Sequence, residues 1–562
     1  MALLAPEIHT ALADLLQKLA SPDNQTRTVA EDQLNNEWFV KQPDLLLMGL
    51  VEQIQLSQEP SMGGEESESK EQFLLLSTEQ KLVMRQKLLE CMQSEGLPQV
   101  RHKIGDGVAE VARQYSESGE NWPELLQALF VASQSADAGQ REGAFRVFTA
   151  TPGVIEKQHE ETVLGAFTKG FKDSDVIVRI AAMEAFSSFF ISVNKKAQKK
   201  YYALVPEILN ILPPLKESGD SDNLTKALMS LIELAEEAPM MFKHLFHSLV
   251  AFSVSVIGDK DLGDVTRQNA LELMGTFADY ASVLCKKDPS YASDMVTQCL
   301  SLMTDVGADD DDAVEWNSSE DLDVEESDLN HVAGEQCMDR LANKLGGSVI
   351  LPPTFHWLPR MISSTNWRDR HAALMAISAI SEGCRELMIG ELDKVLEIVV
   401  PALQDAHPRV RWAGCNALGQ MSTDFAGTMQ EKYHQTVLTN IIPVLDAPEP
   451  RIQSHAAAAL VNFCEEAEKA TLEPYLDDLL SRLLNLLQSN KRYVQEQALS
   501  TIATIADSAE TAFGRYYSTL MPLLFSVLKQ EQSKELRLLR AKAMECATLI
   551  GKASYGFLTS GT

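Results

Sequence analysis

The chain has 562 residues, enough for roughly three or four globular domains or for one long array. Apolar residues make up 45% and charged residues 23%, and neither Gly (29) nor Pro (22) is enriched, which excludes collagen-like and low-complexity chains. Acids exceed bases by 80 to 49. The resulting net charge of −31 argues against a direct nucleic-acid binder, whose affinity rests on Lys and Arg against phosphate, and favours basic partners.

The first twenty residues, MALLAPEIHTALADLLQKLA, lack a basic leader and carry Glu7 and Asp14. They read as an amphipathic helix and not as a signal peptide. No stretch reaches 18 apolar residues, so no membrane insertion is expected. Residues 57–72, SQEPSMGGEESESKEQ, are polar and Gly/Ser/Glu-rich, and predict a loop where a helix would continue the later pattern.

From residue 101 onward one pattern recurs: a turn residue, an aliphatic residue beside a basic or polar one, then small residues. Its anchors are Arg101, Arg141, Arg179, Lys226 and Arg267, spaced 40, 38, 47 and 41 apart. They continue at Arg370, Arg411, Gln453, Gln495 and Arg537, spaced 41, 42, 42 and 42 apart. Each copy has an apolar helical stretch before the turn and another after it, as in 392–405 and 408–425. In the latter Val410, Ala413, Ala417 and Met421 step by 3, 4 and 4 and share one helix face. An Asp stands six residues before the anchor at Asp173, Asp261 and Asp405, where it is expected to cap the turn and bond along the array. Two helices per 38–47 residues predict HEAT or armadillo repeats, each burying its faces only against its neighbours.

Lys195, Lys196, Lys199 and Lys200 read as a solvated helix face, or as a weak nuclear-localisation-like patch. Gly346 follows helix-like sequence and predicts a helix C-cap. The span between Arg267 and Arg370 holds about twenty residues beyond two periods, and the surplus falls on DVGADDDDAVEWNSSEDLDVEESD, 305–328. Twelve of its 24 residues are acids and none is basic, which keeps it out of a packed core. It reads as a solvated spacer or as a contact for a basic protein surface, with Trp316 as anchor. Its consecutive Asp residues do not fit an EF-hand.

About twelve residues after the anchors stands a carboxylate: Asp279, Glu382, Asp424, Glu465 with Glu466, and Asp507. Acids at helix C-termini oppose the helix dipole, so their recurrence points to use; chance in an acid-rich chain is the alternative. Packed helices lie roughly 8–10 Å apart, and three extended residues span about 10 Å. A column of such acids would read Lys or Arg at about every third position of an extended peptide. The eight cysteines contain no C-x-x-C pair and predict buried, reduced thiols. No G-x-S-x-G, H-E-x-x-H, P-loop or dinucleotide fingerprint is present, and no enzyme, cofactor or metal is expected.

The segments HPRVRWAGCNALGQMSTDF (407–425), HAAAALVNF (455–463), LLQSNKRYVQEQAL (486–499), ECATLIG (545–551), NWPELLQAL (121–129) and DDDDAVEW (309–316) closely resemble the importin-beta superfamily, in its fungal karyopherin beta-3 branch. The resemblance covers nearly all of 1–551. It implies an all-α, right-handed superhelical solenoid of HEAT repeats, continuous over 1–551, with 57–72 in place of a helix, 305–330 as an acidic insert and 552–562 as a non-repeat tail. The chain would then be an N-terminal half. It implies a monomeric nuclear import receptor shuttling between cytoplasm and nucleus. Such a receptor binds basic cargo, such as ribosomal proteins and histones, contacts Phe-Gly nucleoporins and releases cargo to Ran-GTP. Asp309, Asp310, Asp311, Asp312 and Glu315 become the expected Ran contact. Glu382, Asp424, Glu465, Glu466 and Asp507 become the expected cargo-signal site. A HEAT scaffold or an acidic chaperone for basic proteins is the alternative.

Overall fold

The computed structural model describes residues 6–19, 21, 23–39, 41, 45, 46, 49, 77–120, 122–156, 160–307, 312–318, 329–529 and 533–560. The described residues are helices joined by short turns, with no strand among them. The polar segment 57–72 lies outside them.

The chain divides into two units, 1–249 and 250–562. In the first, the second helices of successive repeats are α1 (Pro98–Glu117), α2 (Ala138–Ala150), α3 (Val176–Ser192) and α4 (Ser221–Glu237), each packed on the next. Phe145, Phe167, Phe186 and Phe189 fill the space between layers. In the second unit α5 (Asp264–Lys287) begins a series that continues, after the short insert helix α6 (Asp312–Ser318), with α7 (Asn330–Leu345) and α8 (Trp367–Ile380). A first helix, α9 (Leu392–Ala402), packs on the second helix α10 (Pro408–Asp424); then come the second helices α11 (Pro450–Glu465), α12 (Arg492–Ala509) and α13 (Arg537–Ser560). The small residues explain the close stacking: Val410, Ala413, Ala417 and Met421 are all fully buried along α10.

The recurring anchor has a specific task. Its side chain turns back to the carbonyl six residues earlier, closing the turn between the two helices of its own repeat. Nη1 of Arg101, Arg141, Arg179, Arg370 and Arg411 donates to the carbonyls of Glu95, Ser135, Asp173, Ser364 and Asp405 at 2.7–3.0 Å. Gln453 and Gln495 do the same through Nε2, at 2.8 Å. In Arg141, Arg370 and Arg411 the rest of the guanidinium bonds the next repeat. Arg141 binds Asp173 through Nε and Nη2 at 2.7 and 2.8 Å, and Arg411 Nη2 binds Glu449 at 2.6 Å. The turn acids also start the next helix: Asp173 and Asp405 accept the N–H of Asp175 and His407. Arg267 departs from the rule: its Nε bonds the Ile257 carbonyl, ten residues earlier, and its Nη1 lies near Asp264 and Asp305.

Gly346 ends α7 with φ +79°, the conformation a Cβ disfavours, as expected for a C-cap. The last helix runs on through Ser560, with Ala553 and Ser554 buried. The helix thus continues past Gly551, where the sequence predicts a non-repeat tail. All eight cysteines are buried and unpaired, and burial pushes the Cys285, Cys384, Cys415, Cys464 and Cys546 thiols up to about 12. No helix among the described residues is long and apolar enough to cross a membrane.

Candidate peptide-binding site

Three acids come from the C-terminal halves, or just past the ends, of three successive second helices. Asp339 lies on α7, Glu382 just past α8, and Asp424 is the last residue of α10. Their sequence intervals, 43 and 42 residues, are the repeat length, so stacking the repeats superimposes them. Gly383 sets how closely the end of α8 approaches α7: a Cβ there would overlap the backbone of Ala342 and Asn343. Only glycine lets Glu382 sit beside the last turn of α7.

The three carboxylates share one field. Asp424 is 9% exposed and accepts two bonds from Gln420 Nε2, at 3.0 and 3.1 Å. Burial pushes its pKa up to about 6; the Gln420 bonds oppose this, the Glu382 and Asp339 charges add to it, and Arg385 draws it down. Asp339, half-buried, is also raised, first by burial and then by Glu382, against a bond from Asn343 at 3.0 Å. One turn earlier on α7, burial and the Asp339 charge push Glu335 up to about 7. Glu382 is exposed. None of these four acids has a Lys or Arg in an ion pair among the described residues. Negative charge held against its own repulsion, partly dehydrated and outside any ion pair, is a site prepared for cationic side chains.

The other expected members stand apart. Asp279 is held by Arg340 Nε and by Lys344 at 3.5 Å, and Asp507 pairs with Lys552 at 2.6 Å. Both have cationic partners within the fold, which sets them apart from the free acids of the even column expected from sequence. Arg340 and Lys552 lie 61 and 45 residues further along and become neighbours only when repeats stack. Glu465 and Glu466 are exposed at the end of α11. Asp339 escaped sequence reasoning because its repeat opens with Asn330 in place of a basic anchor. One period subtracted from Glu382 would have found it.

Of the acidic insert, Asp309, Asp310 and Asp311 lie outside the described residues. Asp312 opens α6, and Glu315 on it is exposed. Trp316, expected to face an external surface, is instead 8% exposed and packs on this chain's Trp412, Arg409 and Arg451. A large ring flanked by acids finds its dehydrated partner in the nearest Arg-rich helix ends. Among the lysines of 195–200, Lys195 pairs with Glu237 and remains exposed.

Four family descriptions match successive stretches: "IPO5-like, TPR repeats" over 97–252, "Importin repeat" over 259–352, "HEAT-like repeat" over 367–421 and "RNAPII transcription regulator C-terminal" over 429–551. The chain is 42% identical to importin subunit beta-3 of Saccharomyces cerevisiae over 98% of its own length and 52% of that protein. It thus spans about half the length of the curated relatives it matches most fully. A crystal structure of Kap121p bound to RanGTP superposes with a TM-score of 0.81 at 42% identity, covering 98% of this chain and 53% of that one. A Kap121p variant in which three acids are replaced by lysine superposes with a TM-score of 0.84 at 41% identity, over 98% and 53%. Its three substituted acids are 43 and 42 residues apart, the intervals that separate Asp339, Glu382 and Asp424 here.

Proposed function

Because the chain belongs to the importin-beta superfamily, we propose that it serves nuclear import by holding an extended, basic localisation signal of protein cargo on Asp339, Glu382 and Asp424. The observation that carries this reading is the convergence of three unpaired carboxylates from three consecutive repeats. Second helices packed roughly 8–10 Å apart offer the acids at the pitch of every third residue of an extended chain. Burial first and then mutual repulsion raise Asp424 and Asp339, and each Lys or Arg that docks relieves the repulsion. The net charge of −31 steers basic cargo towards the surface before any contact forms.

Release by Ran-GTP, contact with Phe-Gly nucleoporins and shuttling between cytoplasm and nucleus complete the proposal. Kap121p, to which the chain is similar, has been crystallised with RanGTP, Pho4p, Ste12p and Nup53p. Glu315, exposed on α6, and the acids 309–312 before it are the proposed Ran contact. The direct test is fluorescence anisotropy of a labelled Lys-rich decapeptide with the purified chain, followed by Ran loaded with GTP or GDP. Micromolar or tighter binding, displaced by Ran-GTP and not by Ran-GDP, is expected. A peptide that binds but ignores nucleotide would reduce the chain to an acidic chaperone.

A further inference from the structure

Helix α6 is a short piece of an acidic segment, yet it carries a side chain buried like core. The Trp316 ring lies against two guanidinium groups, Arg409 at 4.8 Å and Arg451 at 5.1 Å from its centroid. It meets the Trp412 ring edge-on, with centroids 6.4 Å apart. Lys491 donates its ammonium to the Ser318 carbonyl at 3.1 Å, at the C-terminal end of α6. A cation there also suits the helix dipole. The insert helix therefore touches α10, α11 and the residue preceding α12, three consecutive repeats.

The receiving surface is not made by the insert. Arg409 and Arg451 occupy the same place in successive repeats, each directly after a proline that opens its helix (Pro408 and Pro450). Stacking brings both guanidiniums to the same Trp316 ring on a chain whose overall charge is strongly negative. An aromatic face attracts both through its quadrupole, and acids flanking that ring add long-range attraction. The surface is also separate from the acid column. Arg409 and Asp424 stand 15 residues apart on α10, about 22 Å along its axis. One layer thus presents a basic-aromatic zone at one end of its helices and an acidic zone at the other.

We propose that Arg409, Arg451 and Trp412 form a receptor site for an aromatic side chain carried on a short acidic segment, that Trp316 is its ligand in cis, and that an acidic, Trp- or Phe-bearing segment of a partner protein binds there by displacing α6. The tether holds Trp316 at a high effective concentration, so a partner succeeds only by making further contacts or by first drawing the insert away. The site is thereby guarded by the chain's own sequence.

The test uses a fluorescein-labelled peptide with the sequence of residues 305–318 and the full chain as wild type, Trp316→Ala, and Trp316→Ala with Arg409→Gln and Arg451→Gln. The peptide is expected to bind the Trp316→Ala chain. It binds wild type, where the site is filled, about tenfold more weakly or worse. It binds the triple variant about tenfold more weakly or worse, as does a peptide with its Trp changed to Ala on the single variant. Trp316→Leu, which keeps an apolar side chain over Trp412, gives the same ordering and guards against a folding defect in the alanine variant. Equal affinity for wild type and Trp316→Ala overturns the cis ligand. Equal binding by the Trp-less peptide, or no loss in the Arg variants, reduces the contact to plain charge attraction and overturns the site.

Discussion

Arg370 holds Asp405 of the following repeat through two parallel N–H donors, Nε and Nη2, at 2.7 and 2.8 Å, while its Nη1 bonds the carbonyl of Ser364 in its own turn. One side chain thus closes a repeat and fastens it to the next. Burial pushes Asp405 up, but Arg370 and the His407 N–H hold its carboxyl below the usual range. Replacing Arg370 with Ala leaves a largely buried carboxylate without its partner and should cost about 2 kcal/mol. Urea unfolding followed by circular dichroism reads this as a lower midpoint. A shift no larger than that of a solvent-exposed Arg→Ala control would assign the stability to apolar packing alone.

Charge reversal at Asp339, Glu382 and Asp424 together should weaken binding of a Lys-rich peptide by about 2 kcal/mol or more, roughly thirtyfold. Reversing Glu465 and Glu466, which are exposed, should act mainly through the screened general field and fade at high salt. Anisotropy titrations at low and high salt distinguish the two. Equal, salt-sensitive effects from both sets would mean that only net charge matters.

The pH dependence has a definite sign. Asp424 ionises near 6 in the fold, above its ordinary value of 3.8. Its charge is therefore lost early as pH falls, and affinity for a cationic peptide should drop up to about fourfold between pH 7.5 and 5.5. For stability the sign is opposite: the advantage of a protonated Asp424 is full below about 3.8 and disappears as pH rises through about 6. Asp424→Asn should weaken binding at pH 7.5 and flatten the profile. An unchanged profile in that variant would place the titrating group elsewhere, with Glu335 near 7 the next to change.

Gly383→Ala should be costly out of proportion to one methyl group. The added carbon meets the α7 backbone, which cannot rotate away as a side chain can. A loss of about 1–3 kcal/mol is expected, together with weaker peptide binding as Glu382 moves from Asp339. Serine at the same place should do no better. A stable alanine variant with full affinity would show that the approach of α8 to α7 does not set the site.

Two histidines stack on tryptophans between repeats: His407 on Trp367 at 4.0 Å and His455 on Trp412 at 4.1 Å. Burial pushes both down to about 4, and both ring nitrogens of His407 are buried without a partner. Neutral rings are thus part of the fold. Their contribution is full above about 6.5 and is lost as pH falls through about 4. Melting temperature should fall over that window, and His407→Phe should reduce the slope. A melting temperature that is flat from pH 7 to 4 would contradict neutral stacking.

Local pattern determines much of this protein. The recurring anchor, the small residues after it and the two apolar stretches per copy specify helix pairs of one length. Each of these signals acts within about forty residues, so all are legible in one dimension. The near-constant period also places Glu382 and Asp424 in one column before any coordinate is known. Tertiary structure decides which charges stay free. Asp279 and Asp507 look like their counterparts in sequence, yet Arg340 and Lys552 from other repeats neutralise them. Asp339 has no basic anchor to mark it and enters the column only through stacking. Trp316 turns inward because Arg409 and Arg451, adjacent only when two repeats pack, offer its ring a better place than water. Pairing energies depend on distances between residues far apart in the chain, and only packing of whole repeats sets those distances.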